Sequence, residues 1–168
     1  MIRYLCRVFV PAALLALCAC GKAPDSAGPA TFEQKVERGR YLVAIAGCGE
    51  CHNPGGPLRQ ITPESESLTG TDIGFRGPWG TSYPVNLRKK AAMFNEEAYV
   101  KTMKSRGGQP PMPWASLHAM KDEDLASLYA YLKFLGPAGD NAPDALLDPK
   151  IEPKTAYIEM MPKNLPAP

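Results

Sequence analysis

Cys48-Gly49-Glu50-Cys51-His52 is the stretch on which the reading of this chain turns. A Cys-x-x-Cys-His run is the attachment pattern of a c-type haem. Two thiols with a two-residue spacer reach the two vinyl groups of one porphyrin, and the adjacent histidine offers a nitrogen to the iron. Rival readings lack partners. A zinc site needs four N/S ligands, yet no cysteine follows Cys51 and His118 is the only other histidine. A thioredoxin-like redox pair calls for a βαβ setting, which the surrounding pattern does not supply. Cys48 and Cys51 are therefore candidate thioether positions, His52 the candidate proximal ligand, and one covalent haem c the expected cofactor.

Outward from the motif, the N-terminus reads as an export signal. Arg3 and Arg7 precede an apolar run from Val8 to Leu17, too short and wrongly flanked for a spanning helix. Leu17-Cys18-Ala19-Cys20 resembles a bacterial lipobox, which makes residues 1–19 a lipoprotein-type signal peptide and Cys20 a lipidated N-terminus. Several acyl chains on one residue anchor stably. The alternative is ordinary cleavage near Ala19, leaving a free thiol in an oxidising compartment. The expected location is the periplasmic side of a bacterial membrane, lipid-anchored through Cys20, or else the soluble periplasm.

Composition narrows the rest. Three of five cysteines (Cys6, Cys18, Cys20) lie in the signal region and two in the haem motif, so the mature domain has no pair for a structural disulfide. Removing residues 1–19 takes away two of 19 Lys+Arg and none of 17 Asp+Glu, leaving a formally neutral chain. That balance argues against nucleic acid as a partner.

The mature chain divides into a flexible tether at 20–31, a domain at 32–136 and a Pro-rich extension at 137–168. Ala23 to Thr31 is rich in Pro, Gly, Ala and Ser. Phe32, Val36, Gly39 and Val43 recur at helical spacing, which predicts a helix from Phe32 to Ala46 capped by Thr31. Gly39 is unfavourable in mid-helix by roughly 1 kcal/mol against alanine, so its presence points to close approach by another helix. Residues 53–92 hold many Gly and Pro and no long periodic run, as expected of loops that pack on a cofactor. Asn95 to Arg106 predicts a second helix, with Asn95 as cap, acids in its first turn and bases in its last. Asp122 to Leu135 predicts a third, since Leu125, Leu128, Tyr129 and Leu132 form one apolar stripe. Its expected partner is the first helix around Gly39. The extension either stays disordered or lies on the domain as extended chain. The Thr155-Ala156-Tyr157-Ile158 cluster favours partial docking.

A sixth iron ligand is sought in Gln109-Pro110-Pro111-Met112-Pro113-Trp114. Flanking prolines fix φ and stiffen the strap, which suits a weak thioether ligand. Met112 is the candidate. Met93 and Met103 sit at helical spacing, Met120 abuts the third helix, and Met160 and Met161 lie in the extension. His118 is the alternative imidazole, and an open sixth position the remaining possibility.

The chain resembles bacterial monohaem class I cytochromes c of the kind that serve periplasmic dehydrogenases as electron-transfer subunits. The similar segments are Arg38-Gly39-Arg40-Tyr41-Leu42-Val43 before the motif, Gly77-Pro78-Trp79-Gly80-Thr81-Ser82-Tyr83 with Asn86-Leu87, Pro110-Pro111-Met112-Pro113-Trp114, and Asp122-Glu123-Asp124-Leu125 with Tyr129-Ala130-Tyr131-Leu132. The resemblance implies an all-α fold, three main helices wrapped with long loops around one haem. It implies Cys48 and Cys51 as attachments and His52 and Met112 as axial ligands. It places Trp79, Tyr83, Asn86 and Arg76 at the haem edge, where the Trp79 indole N–H could serve a carboxylate or the ring could be plain core. Members of this type often carry Asn-Leu-Thr-Pro-Asp where this chain has Asn86-Leu87-Arg88-Lys89-Lys90, a solvated basic turn or a cationic spot for an acidic partner.

The expectation is a one-electron carrier and not an enzyme in its own right. Its partners would be a dehydrogenase subunit, other cytochromes or a terminal oxidase, with the membrane reached through the lipid anchor. The contrasting expectation is a haem enzyme or gas or redox sensor with an open or labile sixth site.

Overall fold

Thr31 caps the first helix. In the computed structural model, which describes residues 28–59 and 61–161, its hydroxyl accepts from the Gln34 amide at 3.3 Å. Gln34 Oε1 accepts from the Thr31 amide in return, at 2.9 Å. This capping box launches α1 (Phe32–Ile45). The expected signal peptide at 1–19 and Cys20 lie outside the described residues.

Among the described residues five more α-helices follow: α2 (Cys48–His52), α3 (Leu87–Ala92), α4 (Glu96–Ser105), α5 (Trp114–Ala119) and α6 (Asp122–Leu135). Three of the helices are long and build the core. α1 lies along α6 with its Gly39 against the Ser127 backbone, so close that a Cβ there would stand 2.7 Å from Tyr131 Cβ. α4 packs on α6 as well. Val36, Leu68, Ala91, Tyr99, Ala130, Tyr131 and Leu132 make one buried cluster, and Leu42, Leu125 and Leu128 a second. Asn95 caps α4 through its side chain at 2.8 Å, and three acids fill the first turn of α6, where they suit the helix dipole. Arg38 pairs with Asp124 at 2.9 Å and Lys35 with Glu96 at 2.7 Å. Such exposed pairs contribute little beyond alignment.

Residues 53–92 hold more than wrapping loops. They contain α3 and two short strands, β1 (Gly74–Gly77) and β2 (Gly80–Ser82), joined as an antiparallel hairpin. A third strand, β3 (Tyr157–Glu159), comes from the C-terminal extension and pairs parallel to β1, giving the order β2-β1-β3. Thr81 also bridges Leu146, with amide-to-carbonyl bonds of 2.7 and 2.9 Å. Gly80, at φ +94°, lets the extension lie directly on the hairpin: a Cβ there would stand 2.9 Å from the Leu147 carbonyl carbon and nearer still to the Leu146 oxygen.

Side chains fasten the same contact. Arg76 pairs with Glu152 at 2.5 Å and donates to the Tyr157 hydroxyl at 3.2 Å. The Tyr83 hydroxyl meets Thr155 Oγ1 at 2.9 Å. With strands of three or four residues, the architecture remains helical.

Arg88 corrects the reading of Arg88-Lys89-Lys90 as a basic surface turn. It is 6% exposed, and its guanidinium donates to the carbonyls of Gly136 at 2.5 Å, Ser65 at 2.8 Å and Leu135. It thereby caps the C-terminal end of α6, where the dipole favours a cation. Burial lowers its affinity for the proton, partly offset by Tyr131.

Candidate functional site

The motif forms α2, barely one and a half turns, entered through Gly47 at φ 63°. A glycine suits that left-handed position because it has no Cβ to clash. Three-residue spacing on this helix sets both thiols on one face. Cys48 packs against the main core cluster, and both thiols are half-buried and unpaired. Burial pushes each thiol above its ordinary pKa, opposite to the depressed value a redox dithiol requires. Among the described residues, no three His, Cys, Asp or Glu side chains converge as a metal cage.

His52 is 8% exposed. Its Nδ1 lies 2.8 Å from the Val85 carbonyl oxygen. A carbonyl only accepts, so Nδ1 carries the proton and Nε2 keeps a free lone pair, the tautomer an iron ligand needs. Burial holds the ring below the usual histidine pKa, with the Val85 bond a smaller opposing effect, so the ring is neutral at pH 7. The end of α2 is tied down by the Gly70 amide donating to the His52 carbonyl at 2.7 Å and by Asn53 Oδ1 accepting from Leu68 at 2.8 Å.

Met112 sits half-buried on the strap between α4 and α5. The Ser82 hydroxyl donates to the Pro110 carbonyl at 2.5 Å. The run from Ser82 to Val85 therefore holds the imidazole at one end and the methionine strap at the other, and His52 and Met112 lie close. The strap's far end is fixed too. The Arg106 guanidinium stacks 5.4 Å from the Trp114 ring centroid, and His118 Nε2 lies 2.8 Å from the Arg106 carbonyl. His118 is exposed and bonded to backbone, and it clasps the far end of the strap.

The other expected edge residues divide. Trp79 packs its ring over Gly77, and its Nε1 is buried with no acceptor among the described residues. Tyr83 is buried and directs its hydroxyl to Thr155. Asn86, 2% exposed, caps α3 through Oδ1 at 2.9 Å and donates from Nδ2 to Ala138 and Asp140 at 2.7 and 3.0 Å. Asn86 thus has both amide hydrogens committed to the loop after α6, and the structure gives it the job of latch. Arg76 is likewise committed to the extension. Reasoning from sequence did not single out Trp114 as a cofactor contact, yet its Nε1 is the second buried indole N–H without a partner.

These observations fit a haem. Leaving a buried donor unpaired costs about 1–3 kcal/mol, so two unpartnered indole N–H groups point to acceptors from outside the polypeptide, such as propionate carboxylates. The donor set of one neutral imidazole and one thioether matches known haem ligation. Cys48, Cys51, His52 and Met112 would hold the group.

The cytochrome c family model matches residues 36–136. Among characterised proteins, the chain is 27% identical over 118 residues to a nicotinate dehydrogenase subunit from Pseudomonas putida, a match covering 64% of this chain and 9% of that protein. It is 28% identical over 120 residues to the fructose dehydrogenase cytochrome subunit of Gluconobacter japonicus, covering 65% of this chain and 23% of that protein. The match thus spans a small part of either relative's length. No solved structure matches.

Proposed function

The chain belongs to the cytochrome c family, with covalently bound haem c and an electron-transfer role, and from that premise we propose that it is a one-electron carrier with His52 and Met112 as axial ligands. When bound, the haem supplies a reversible one-electron iron couple, whose potential methionine ligation raises. The polypeptide attaches it through Cys48 and Cys51. His52 Nε2 would offer the iron a lone pair and Met112 its thioether sulfur. Trp79 and Trp114 offer their indole N–H groups to the carboxylates. The observation that carries this reading is the Val85–His52 bond, which fixes the ligating tautomer within four residues of the group that seats the methionine strap.

The partner would be a dehydrogenase, as the names of both relatives suggest, with further cytochromes or a terminal oxidase as acceptors. Docking is small and weak because a carrier must release quickly. The lipobox-like Leu17-Cys18-Ala19-Cys20 supports anchoring through Cys20 on the periplasmic side of a membrane. Among the described residues no helix is long and apolar enough to cross a membrane. Replacing Cys20 with alanine should move the protein from the membrane to the soluble fraction.

The ligation is tested by spectra of the matured protein with and without carbon monoxide. The expected result is a ferric Met–iron band in the red, lost in Met112→Ala, and a ferrous form that does not bind carbon monoxide. Ready carbon monoxide binding by the unaltered protein would overturn the closed site and favour a haem enzyme or sensor.

A further inference from the structure

We propose that Ser82 is a positioning residue for the distal ligand: its hydroxyl, donated to the Pro110 carbonyl, holds the Met112 strap seated and so sets how readily outside ligands reach the iron. The inference rests on the reading of Met112 as that ligand.

Ser82 ends β2, a strand fixed on both sides. β1 pairs with it in antiparallel register, Phe75 opposite Ser82, and Leu146 bridges Thr81. Its hydroxyl has one proton and two carbonyls in reach, Pro110 at 2.5 Å and Phe75 at 3.4 Å. The shorter contact takes the proton.

Pro110 lies two residues before Met112, and proline carries no N–H, so Pro110, Pro111 and Pro113 cannot tie the strap down by donating from their own backbone. The bonds that reach it come from outside or from α5. Trp114 donates to the Met112 carbonyl at 2.9 Å, which starts the helix without fixing the strap to the hairpin. Ser82 is the side chain that joins strap to sheet.

The bond exists only while the strap is seated. An incoming ligand must displace Met112, which moves Pro110 away from Ser82. Removing the hydroxyl therefore shifts the seated–displaced equilibrium without touching either iron ligand. Apparent affinity for an outside ligand scales with the displaced fraction. A neutral hydrogen bond contributes about 0.5–1.5 kcal/mol net, and this one is exposed to water, so the shift is about threefold, equal to about 0.7 kcal/mol.

The test uses the matured, full-length protein and titrates the ferric form with imidazole. Variants are Ser82→Ala, Ser82→Thr and Ser82→Val, with Met112→Ala alongside. Thr and Val have nearly the same shape and both suit a strand, so that pair isolates the hydroxyl even if Ser82→Ala does not mature. The expected result is about threefold tighter imidazole binding and a weakened Met–iron band in Ala and Val, with Thr close to the unaltered protein. Equal imidazole affinity in Thr and Val overturns the role of Ser82, even if both melt at a lower temperature. If Met112→Ala leaves the band intact, the ligand assignment itself falls, and the role of Ser82 with it.

Discussion

Replacing Gly39 with alanine should destabilise the domain, although alanine is the better helix former. Alanine at a helix interior is favoured over glycine by roughly 1 kcal/mol. Against this stands the contact with α6. A Cβ at position 39 would lie 2.7 Å from Tyr131 Cβ and 2.8 Å from the Ser127 carbonyl carbon, nearer still to that carbonyl's oxygen. The obstacle is backbone of a helix, which no rotamer change moves aside. α1 and α6 would have to separate, loosening Val36, Ala130 and Tyr131 in the main cluster. Overpacking of this kind costs about 1–3 kcal/mol, and rigid backbone places it at the upper end. The net loss is about 2 kcal/mol. For a domain of this size that lowers the melting temperature by roughly 6–8 °C. The assay is thermal and urea unfolding of matured protein, with an unchanged urea slope expected. Glu37→Ala, exposed on the same helix, controls for propensity and should stay within about 0.5 kcal/mol. A Gly39→Ala protein as stable as the original would refute the claim that the two helices meet through this glycine.

Arg88→Met should lower stability by about 3 kcal/mol, because three carbonyls including the end of α6 lose a charged donor, and Arg88→Lys should recover only part, since one ammonium cannot span all three; urea midpoints measure both. Glu152 has its pKa held below the usual carboxylate value, first by the Tyr157 hydroxyl and then by Arg76. A depressed folded-state pKa stabilises above the unfolded value, about 4.3, and that stabilisation is lost as pH falls through the lower folded value. Protection of the Tyr157–Glu159 amides against exchange, taken relative to their intrinsic rates, should therefore fall as pH drops below the unfolded carboxylate value, and Glu152→Gln should flatten that dependence. Deleting residues 150–168 removes β3 and the partners of Arg76 and Tyr83, so the melting point should drop while the Met–iron band persists; loss of the band would show that the extension also seats the strap.

The three long helices were legible because what makes them is local. Thr31, Asn95 and the acids at 122–124 mark their starts, and apolar residues recur at helical period. Gly39 was legible as a place where another helix approaches, since an unfavourable residue in a good helix calls for a packing reason. In the site, Cys48, Cys51 and His52 could be found because their chemistry is carried by spacing inside one short helix.

The remainder lay beyond local pattern. β1 and β2 have three or four residues and three glycines between them, too little for a period of two to show. Arg88 read as surface because a buried guanidinium without an acid is rare, and its acceptors are carbonyls 23 to 48 residues away. Tyr83 and Asn86 were placed at the haem edge, but their polar groups reach Thr155, 72 residues on, and the loop at 138–140. Val85 was invisible in principle, since it acts through a carbonyl that every residue possesses.

The two kinds of residue meet at one place. A haem motif fixes what His52 can bind, but the direction of its ring is set by Val85 and the position of the opposite strap by Ser82. Both belong to a segment braced by β1, by the loop at 68–71 and by the extension. An imidazole is a strong ligand and would tolerate a loose support. A thioether is a weak one, so its attachment depends on how little freedom the strap has when unbound. On the proposed ligation, the hairpin and its added third strand therefore bear on the chemistry through the methionine side of the site, where the Ser82 hydroxyl joins them to the strap.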